Sequence, residues 1–469
     1  MKSQGLTAFW WVLPVALAAG CKAPVLREVA LAPRRPLGAE LKAYEAPRGA
    51  PEGEAQAPRA EGPKGPLTLR DALALALLHS PELAGSSWDV RVAEAKRLQA
   101  GLRPNPELEA GLEGFGGTGA KKGFGAAEAT LQVSQIIERG GKRLKRARAA
   151  AAEGRLAAWD YEAKRLDVFT ATAKAFVEAL AAQERVALAQ ELAALAEHVL
   201  RTVAERVRAG KVSPLDEHKA KAELASSRIE LAQARRKAEA GRRRLAASWG
   251  GAEPTFERLD GTLALGEDRL KAGLPAPPQL VSLLGQNPDI ARWGDEMDQR
   301  RAALELEVAN RIPDLSLSPG LGYFGETNDA AMLFGLALPL PFFNRNQGAI
   351  LEARYRVAKA WEEKRAAEAK AHAELADAYG EAASAFEEIR GIQAEVLPPS
   401  QAAFAAATEG FKEGKFPFLD VLDAQRTLFE ARGKQIAALA DYHKALAEVE
   451  RLIGQGIPSS DAKEKRSQP

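Results

Sequence analysis

Past residue 66 the apolar positions of the chain follow two rhythms. Over 107–116, Leu108, Ala110 and Leu112 alternate with Glu107, Glu109 and Glu113, the period of two that marks a strand with one apolar face. Over 126–136, Ala127, Ala129, Leu131 and Val133 alternate with Glu128, Thr130, Gln132 and Ser134. The rhythm returns over 313–324, where Leu315, Leu317, Leu321 and Tyr323 stand against Asp314, Ser316, Ser318 and Gly322. It appears a fourth time over 331–341, where Met332, Phe334, Leu336, Leu338 and Leu340 stand among small residues. Two hairpins are predicted. Almost everything else has a helical period. Residues 142–209 contain no proline and a single glycine, Gly154, and predict one helix of roughly 100 Å. Within it Leu166, Phe169, Ala173, Phe176, Leu180 and Ala187 keep three-and-four spacing, a coiled-coil seam. Residues 347–413 predict a second long helix, with Pro398-Pro399 expected to kink or locally break it. Return helices follow over 217–249 and 421–454; in the latter Leu422, Phe429 and Ile436, then Leu439, Leu446 and Ile453, recur every seven residues.

The order of these elements is said twice. His79-Ser80-Pro81-Glu82-Leu83-Ala84 returns as Gln286-Asn287-Pro288-Asp289-Ile290-Ala291, and Pro106-Glu107-Leu108 returns as Pro313-Asp314-Leu315, both offset by 207. Gly210 and Asp216 return as Gly414 and Asp420, and Trp249-Gly250 as Ile453-Gly454, offset by 204. The chain is therefore two tandem structural repeats, 67–253 and 278–454, joined by a connection over 254–277. In each, a short turn, 210–216 and 414–420, reverses the long helix with nearly the same residues. Gly210, Lys211, Pro214, Leu215 and Asp216 stand in the first; Gly414, Lys415, Pro417, Leu419 and Asp420 stand in the second. Capping alone accounts for such turns: glycine ends a helix in the left-handed region, proline suits the first turn of the next, and an aspartate there complements the helix dipole. A functional reading adds that Asp420 and Asp423, three residues apart on one helical face, line a constriction that attracts cations.

Alternating segments of about ten residues joined by loops are the signature of outer-membrane barrel strands. Soluble hairpins packed on a core would read alike, but a chain so helical has no second sheet to cover their apolar faces. Four strands cannot close a barrel, and the smallest membrane barrels have about eight, so the membrane reading requires an oligomer. The N-terminus points the same way. Lys2 precedes an apolar run from Leu6 to Gly20, too short to span a bilayer and matching a signal-peptide core, so 1–20 is read as a signal peptide. It ends in Leu17-Ala18-Ala19-Gly20-Cys21, and Cys21 is the only cysteine. This resembles a bacterial lipobox, which implies an acylated, palmitate-bearing Cys21, with Ala18 where leucine is usual; ordinary cleavage after Ala18 is the alternative. Lys22 after the cysteine suits delivery to the outer membrane. Residues 21–66 read as a lipid-anchored extended tether rich in Pro, Ala and charge, and 455–469 as a polar tail.

Composition removes other classes. With 65 basic and 63 acidic residues the chain lacks the basic excess that nucleic acid demands. The glycine-rich Gly111–Gly125 has no Gly-Lys-Ser/Thr ending and lies between two strands, so it reads as a hairpin loop rather than a phosphate cradle. His79, His198, His218, His372 and His443 are scattered without a metal-ligand spacing, and His443 reads as a packed or pore-side residue on its helical seam. No nucleophile elbow or catalytic carboxylate pair is present. Neither an enzyme, a cofactor nor a resident metal is expected.

Four motifs in combination, Arg103 to Glu109 (RPNPELE), Gln135 to Arg143 (QIIERGGKR), Leu338 to Ile350 (LPLPFFNRNQGAI) and Phe418 to Arg426 (FLDVLDAQR), give the chain its resemblance to the TolC-like outer-membrane efflux family over about 67–454. The last three are most similar to the branch serving cobalt-zinc-cadmium pumps. The resemblance implies a mainly α fold with a small β part. It implies a homotrimer whose twelve-stranded barrel, set in outer-membrane lipid, continues into an α-helical periplasmic tunnel. It implies that Asp420 and Asp423 form the periplasmic gate, six carboxylates in a trimer, and that the two tip turns dock a periplasmic adaptor (membrane fusion protein). It further implies an inner-membrane pump of the resistance-nodulation-division type and export of heavy-metal cations. Lys219 stands where Asp423 stands in the second repeat, so gate charge is expected from the second repeat only. Two alternatives stay open: an exit duct for drugs or other organic compounds, and a periplasmic adaptor or structural coiled-coil lipoprotein, against which speak the paired hairpins and the lack of strands for a lipoyl-like domain.

Overall fold

Why four short strands should form one sheet rather than two hairpins is answered by their pairing. In the computed structural model, which describes residues 29–48 and 62–457, strands β2 (Glu107–Glu113), β3 (Glu128–Ile137), β5 (Leu315–Phe324) and β6 (Asp329–Ala337) form one antiparallel sheet in the order β2-β3-β5-β6. The hairpin of the first repeat joins that of the second through β3 and β5. Directly opposed residues of antiparallel strands share a face. The register therefore sets Leu108, Ala110 and Leu112 beside Val133, Leu131 and Ala129, and Leu131 beside Leu321. It then sets Leu317, Pro319 and Leu321 beside Leu336, Phe334 and Met332. One face is apolar but for Gln135, beside Leu317. It is also bare: Leu108 is 70% exposed, Phe334 72% and Met332 89%.

β3 runs over 128–137 rather than 126–136 and β6 starts at 329 rather than 331, and three other strand ends differ from expectation for local reasons. β2 stops at Glu113, not 116, because Gly114 and Gly116 take φ of 72° and 71°, leaving the extended region. The loop beyond is closed by the stacked rings of Phe115 and Phe124, 5.5 Å apart. β5 begins at Leu315, not 313, since Asp314 turns away to serve Lys142 and the Arg139 amide. β6 ends at Ala337, not 341, where Pro339 and Pro341 have no N–H to give a ladder.

The sheet belongs to a unit that also holds 29–30, 92–154 and 298–357. Gly140 and Gly141, with φ of 67° and 70°, lead into helix α3 (Lys142–Arg208); a Cβ on Gly140 would stand 2.7 Å from Ile312, so the close approach demands glycine. Lys142 Nζ reaches Asp314 Oδ1 at 2.8 Å, and Arg146 reaches Glu138 at 2.6 Å. Burial of Asp314 opposes ionisation, but the Lys142 ammonium and the Arg139 amide together outweigh it and hold the carboxyl below its usual range. The lone glycine of α3, Gly154, lies where Val29 crosses: a Cβ there would meet Val29 Cγ2 at 2.7 Å.

The second unit, 31–91, 155–297 and 358–457, is helical. Short helices α1 (Leu69–His79) and α2 (Pro81–Ala100) open the first repeat; α3 returns as α4 (Pro214–Ala247). The connection contains strand β4 (Arg258–Asp260), helices α5 (Glu267–Ala272) and α6 (Pro277–Val281), and pairs parallel with β1 (Pro66–Thr68), a sheet the sequence pattern did not reveal. The second repeat runs through α7 (Pro288–Ala291), α8 (Trp293–Asn310), α9 (Gln347–Gly391), α10 (Leu397–Glu413) and α11 (Phe418–Ile453). Between α9 and α10 the backbone widens into a π turn, Ile392–Val396, instead of breaking. A wider turn releases the carbonyls that Pro398 and Pro399 cannot bond, while both prolines sit in the first turn of α10, where missing amides cost nothing. The main core joins Leu67, Phe176, Leu180, Leu245, Phe256, Leu259, Phe386, Ile389 and Tyr442, each large apolar side chain contributing about 1.5–3 kcal/mol on burial.

The expected tether is not free over 31–48. It has no helix or strand, yet Leu37 and Leu41 are buried, Leu37 donates to Gly454 O at 3.1 Å and Tyr44 to Leu77 O at 2.8 Å. Beneath it Arg165 and Glu162, 1% exposed each, pair at 2.8 Å, and Arg165 also donates to the carbonyls of Leu37 and Arg35. The strap's backbone thus supplies acceptors to a buried guanidinium. The residues of the signal peptide, Cys21 and most of the polar tail lie outside those described.

Candidate functional site

The two helix reversals lie together in the helical unit. At the first, Gly210 takes φ of 67° and the Lys211 amide donates to Arg206 O at 2.9 Å, the six-to-one bond of a Schellman turn. Ser213 caps α4, accepting from the Leu215 amide at 3.2 Å, with Pro214 in the first turn. At the second, Gly414 takes φ of 79° and Lys415 donates to Gly410 O at 2.8 Å. Pro417 precedes α11 and has no side-chain cap. Both return helices start earlier than their pattern suggested, at 214 rather than 217 and at 418 rather than 421, since Pro214 opens α4 and Pro417 takes the N-cap position of α11.

Beneath the turns is a small core of Val203, Ala220, Ala407, Phe411, Phe418 and Val421, drawn from both repeats. Phe411 and Phe418 lie 5.6 Å apart, and the Phe416 ring covers Gly410 so closely that no Cβ would fit there. Arg206 of α3 ties the repeats: its guanidinium lies 4.4 Å over the Phe411 ring and donates to the carbonyls of Phe411 and Lys412. A cation thereby satisfies the bare C-terminal carbonyls of α10. The outer surface of the turns stays apolar and exposed at Leu215 and Leu419, 58% each, and at Phe416.

The first turns of the two return helices differ in charge. In α4, Lys219 lies 3.9 Å from Asp216, and Lys221 lies 2.7 Å from Glu217. In α11, Asp420 and Asp423 are both exposed, and among the described residues no cation stands within ion-pair range of either. Sequence reasoning found Gly210, Lys211, Pro214, Leu215, Asp216, Gly414, Lys415, Pro417, Leu419, Asp420 and Asp423. It missed Arg206 and the Phe411–Phe416–Phe418 cluster, whose one visible signal was three phenylalanines in eight residues of an aromatic-poor chain.

A second surface matters as much. On the sheet face opposite the apolar one the register gathers Glu107, Glu109, Gly111 and Glu113 with Ser134, Gln132, Thr130 and Glu128. Ser316, Ser318, Gly320 and Gly322 continue it, and Asp329 closes it. Ile136, Phe324 and Leu333 share this face, but the four strands contain no lysine or arginine, so its only charges are carboxylates. His443 is packed: buried, with Nε2 donating to Leu263 O at 3.0 Å. Burial lowers its pKa, the hydrogen bond opposes this, and Arg269 adds to the lowering, so the ring is neutral at pH 7. Among the described residues no group of three or more His, Cys, Asp or Glu is arranged to hold a metal ion, and no helix is long and apolar enough to cross a membrane.

Comparison with known proteins agrees with this geometry. The chain is 36% identical over 391 residues to the cobalt-zinc-cadmium resistance protein CzcC of Cupriavidus metallidurans, covering 83% of this chain and 91% of that protein. It is 29% identical over 303 residues to the nickel and cobalt resistance protein CnrC of the same organism, covering 64% and 69%. It is 27% identical over 422 residues to the pyoverdine export outer membrane protein OpmQ of Pseudomonas aeruginosa, covering 83% and 86%. Among solved structures, CusC superposes with a TM-score of 0.70 at 18% identity, over 83% of this chain and 92% of that one. The outer membrane protein VceC of Vibrio cholerae gives 0.68 at 22%, over 83% and 97%. The mainly helical fold with its four-stranded sheet is thus that of the TolC-like channels. The outer membrane efflux protein model matches residues 72–251 and 280–455, one stretch for each repeat, and the chain belongs to that family as an exit duct of the outer membrane.

Proposed function

We propose that this protein is the passive duct of a tripartite efflux system for heavy-metal cations, working as a homotrimer. Three four-stranded sheets close a twelve-stranded barrel, apolar face to lipid and acidic face to water. The long helices continue as a periplasmic tunnel whose tips meet the adaptor of a resistance-nodulation-division pump. The single observation that carries this reading is the division of the sheet: Leu108, Leu131, Leu321, Phe334 and their neighbours on one side, and Glu107, Glu109, Glu113, Glu128 and Asp329 without a cation on the other. A wall whose only charges are carboxylates raises the local concentration of cations. The edges β2 and β6 also leave backbone groups open, which neighbouring copies would pair.

In this reading Asp420 and Asp423 form the gate at the closed entrance. Gly210, Lys211, Pro214, Leu215 and Asp216, with Gly414, Lys415, Pro417 and Leu419, shape the adaptor-docking turns, with Leu215 and Leu419 as apolar contact points. Cys21 carries the acyl anchor. Similarity to the resistance proteins CzcC and CnrC supports metal cations as cargo. Similarity to the pyoverdine exporter OpmQ favours a second reading, export of organic compounds. Deleting the gene and growing the strain against a panel of metals and antibiotics separates the two. Sensitivity to divalent metals alone is expected; sensitivity to organic compounds alone would overturn the cargo assignment.

A further inference from the structure

The sheet has two ends, and their charges differ. At one end Glu113 opposes Glu128, and Phe324 opposes Asp329, so carboxylates of the polar face mark that end, with Lys121 and Lys122 in the loop beyond. At the other, Glu107 opposes Ser134, Ile137 opposes Leu315 and Ser316 opposes Ala337, so the segments before β2 and β5 and after β3 and β6 all leave one rim. These segments bear Arg103, Arg139, Arg143, Arg311 and Arg345, all exposed. Of the carboxylates at this rim, Glu138 is engaged with Arg146 at 2.6 Å and Asp314 with Lys142 at 2.8 Å, while Glu107 opens β2 on the polar face. Among the described residues none of the five arginines has a carboxylate within ion-pair range.

Two further observations make this more than a solvated face. Helix α3 opens with Lys142, Arg143, Lys145 and Arg146 and has no acidic residue in its first turn, so positive charge is stacked on the positive end of the helix dipole. Only Lys142 and Arg146 are compensated within the protein. The same rim exposes apolar bulk: Leu340 is 64% exposed, Phe342 68%, Phe343 93% and Leu144, between Arg143 and Lys145, 58%. Below β2, Arg103 and Arg146 flank a groove of about 530 Å³ that Leu102 and Pro104 also line; its Lys96 is paired with Glu153. Guanidinium groups beside bare rings and leucines, continuous with an apolar sheet face, fit a phosphate joined to acyl chains.

We propose that this rim binds anionic phospholipid of the periplasmic leaflet, Arg103, Arg139, Arg143, Arg311 and Arg345 taking the phosphates while Phe342, Phe343 and Leu144 lie among the upper acyl carbons. The assignment rests on the membrane reading of the sheet. It gives the barrel a fixed depth and gives the opening of α3 the negative charge its dipole lacks.

The test uses the full mature chain in vesicles of phosphatidylethanolamine and phosphatidylglycerol at about four to one. The protein is released in mild detergent and its retained lipids are weighed by native mass spectrometry. Phosphatidylglycerol is expected to be enriched about fivefold or more over its share, and the enrichment to fall with added salt. Combined Arg103→Gln, Arg139→Gln, Arg143→Gln, Arg311→Gln and Arg345→Gln should abolish it, and the five corresponding Arg→Lys changes should retain most of it. Retention in the vesicle's own proportions, salt-independent retention, or replacement by added lipid A would each overturn the proposal. If the glutamine variant fails to assemble, the salt dependence and the lysine variant decide. Failure to float with either lipid would instead bring down the membrane reading, and this assignment with it.

Discussion

Asp420 and Asp423 are exposed and unneutralised, whereas their counterparts in the first repeat, Asp216 and Lys219, neutralise one another at 3.9 Å. The asymmetry was legible as one letter in the sequence. In planar bilayers, Asp420→Ala with Asp423→Ala should raise single-channel conductance several-fold and weaken block by trivalent cations; unchanged traces would remove them from the gate. His443 gives a pH prediction. Burial sets its folded pKa below the ordinary value of 6.5, so both states are neutral above that value. As pH falls past it the unfolded chain takes the proton first, and the stability present above is lost through the lowered folded pKa. His443→Gln, which keeps a donor for Leu263 O, should lose less melting temperature than wild type between about pH 7 and 5. Equal losses would show that other groups set the acid limit. Arg206 could not be found from the sequence, because its partners Phe411 and Lys412 are some two hundred residues away and are bonded through backbone oxygens.

Elements were legible where their period is long and local. The run 142–209 became Lys142–Arg208 because propensity and seam agree over its whole length. The turns were legible because glycine and proline signal backbone geometry directly. Gly210→Ala or Gly414→Ala puts a Cβ into the left-handed region and should destabilise its turn by about 1–2 kcal/mol. Hydrogen exchange should quicken over 200–220 or 404–424 respectively and stay unchanged in the sheet; a global change in protection would mean that the turns are coupled to the whole. The π turn Ile392–Val396 was visible only as a disturbance, since Pro398-Pro399 declares what the helix cannot do and not how the backbone responds. The β1–β4 pair escaped because three-residue strands have no period to read.

For the whole molecule, the bare apolar face and the two open edges of the β2-β3-β5-β6 sheet set the expectation. Purified from membranes in mild detergent, the protein should migrate as a trimer and resist carbonate extraction; a monomer soluble without detergent would end the duct proposal. Under the proposed anchoring, Cys21→Ser should remove the acyl mass while leaving the sheet able to insert, since in the proposed duct the apolar sheet face, not the anchor, would supply most of the contact with lipid.

By itself the sequence determined what depends on neighbours along the chain: four alternating strands, two long helices, two glycine-proline reversals and the twofold repeat. Period and backbone preference are local properties, and they were repeated often enough to be read. Only the tertiary structure decided which strands meet, and so that β3 joins β5 and every carboxylate of the sheet falls on one face. It alone decided that 31–48 lies against the helices as a strap, because the buried Glu162–Arg165 pair needs the carbonyls of Arg35 and Leu37, and a backbone acceptor leaves no mark in residue type.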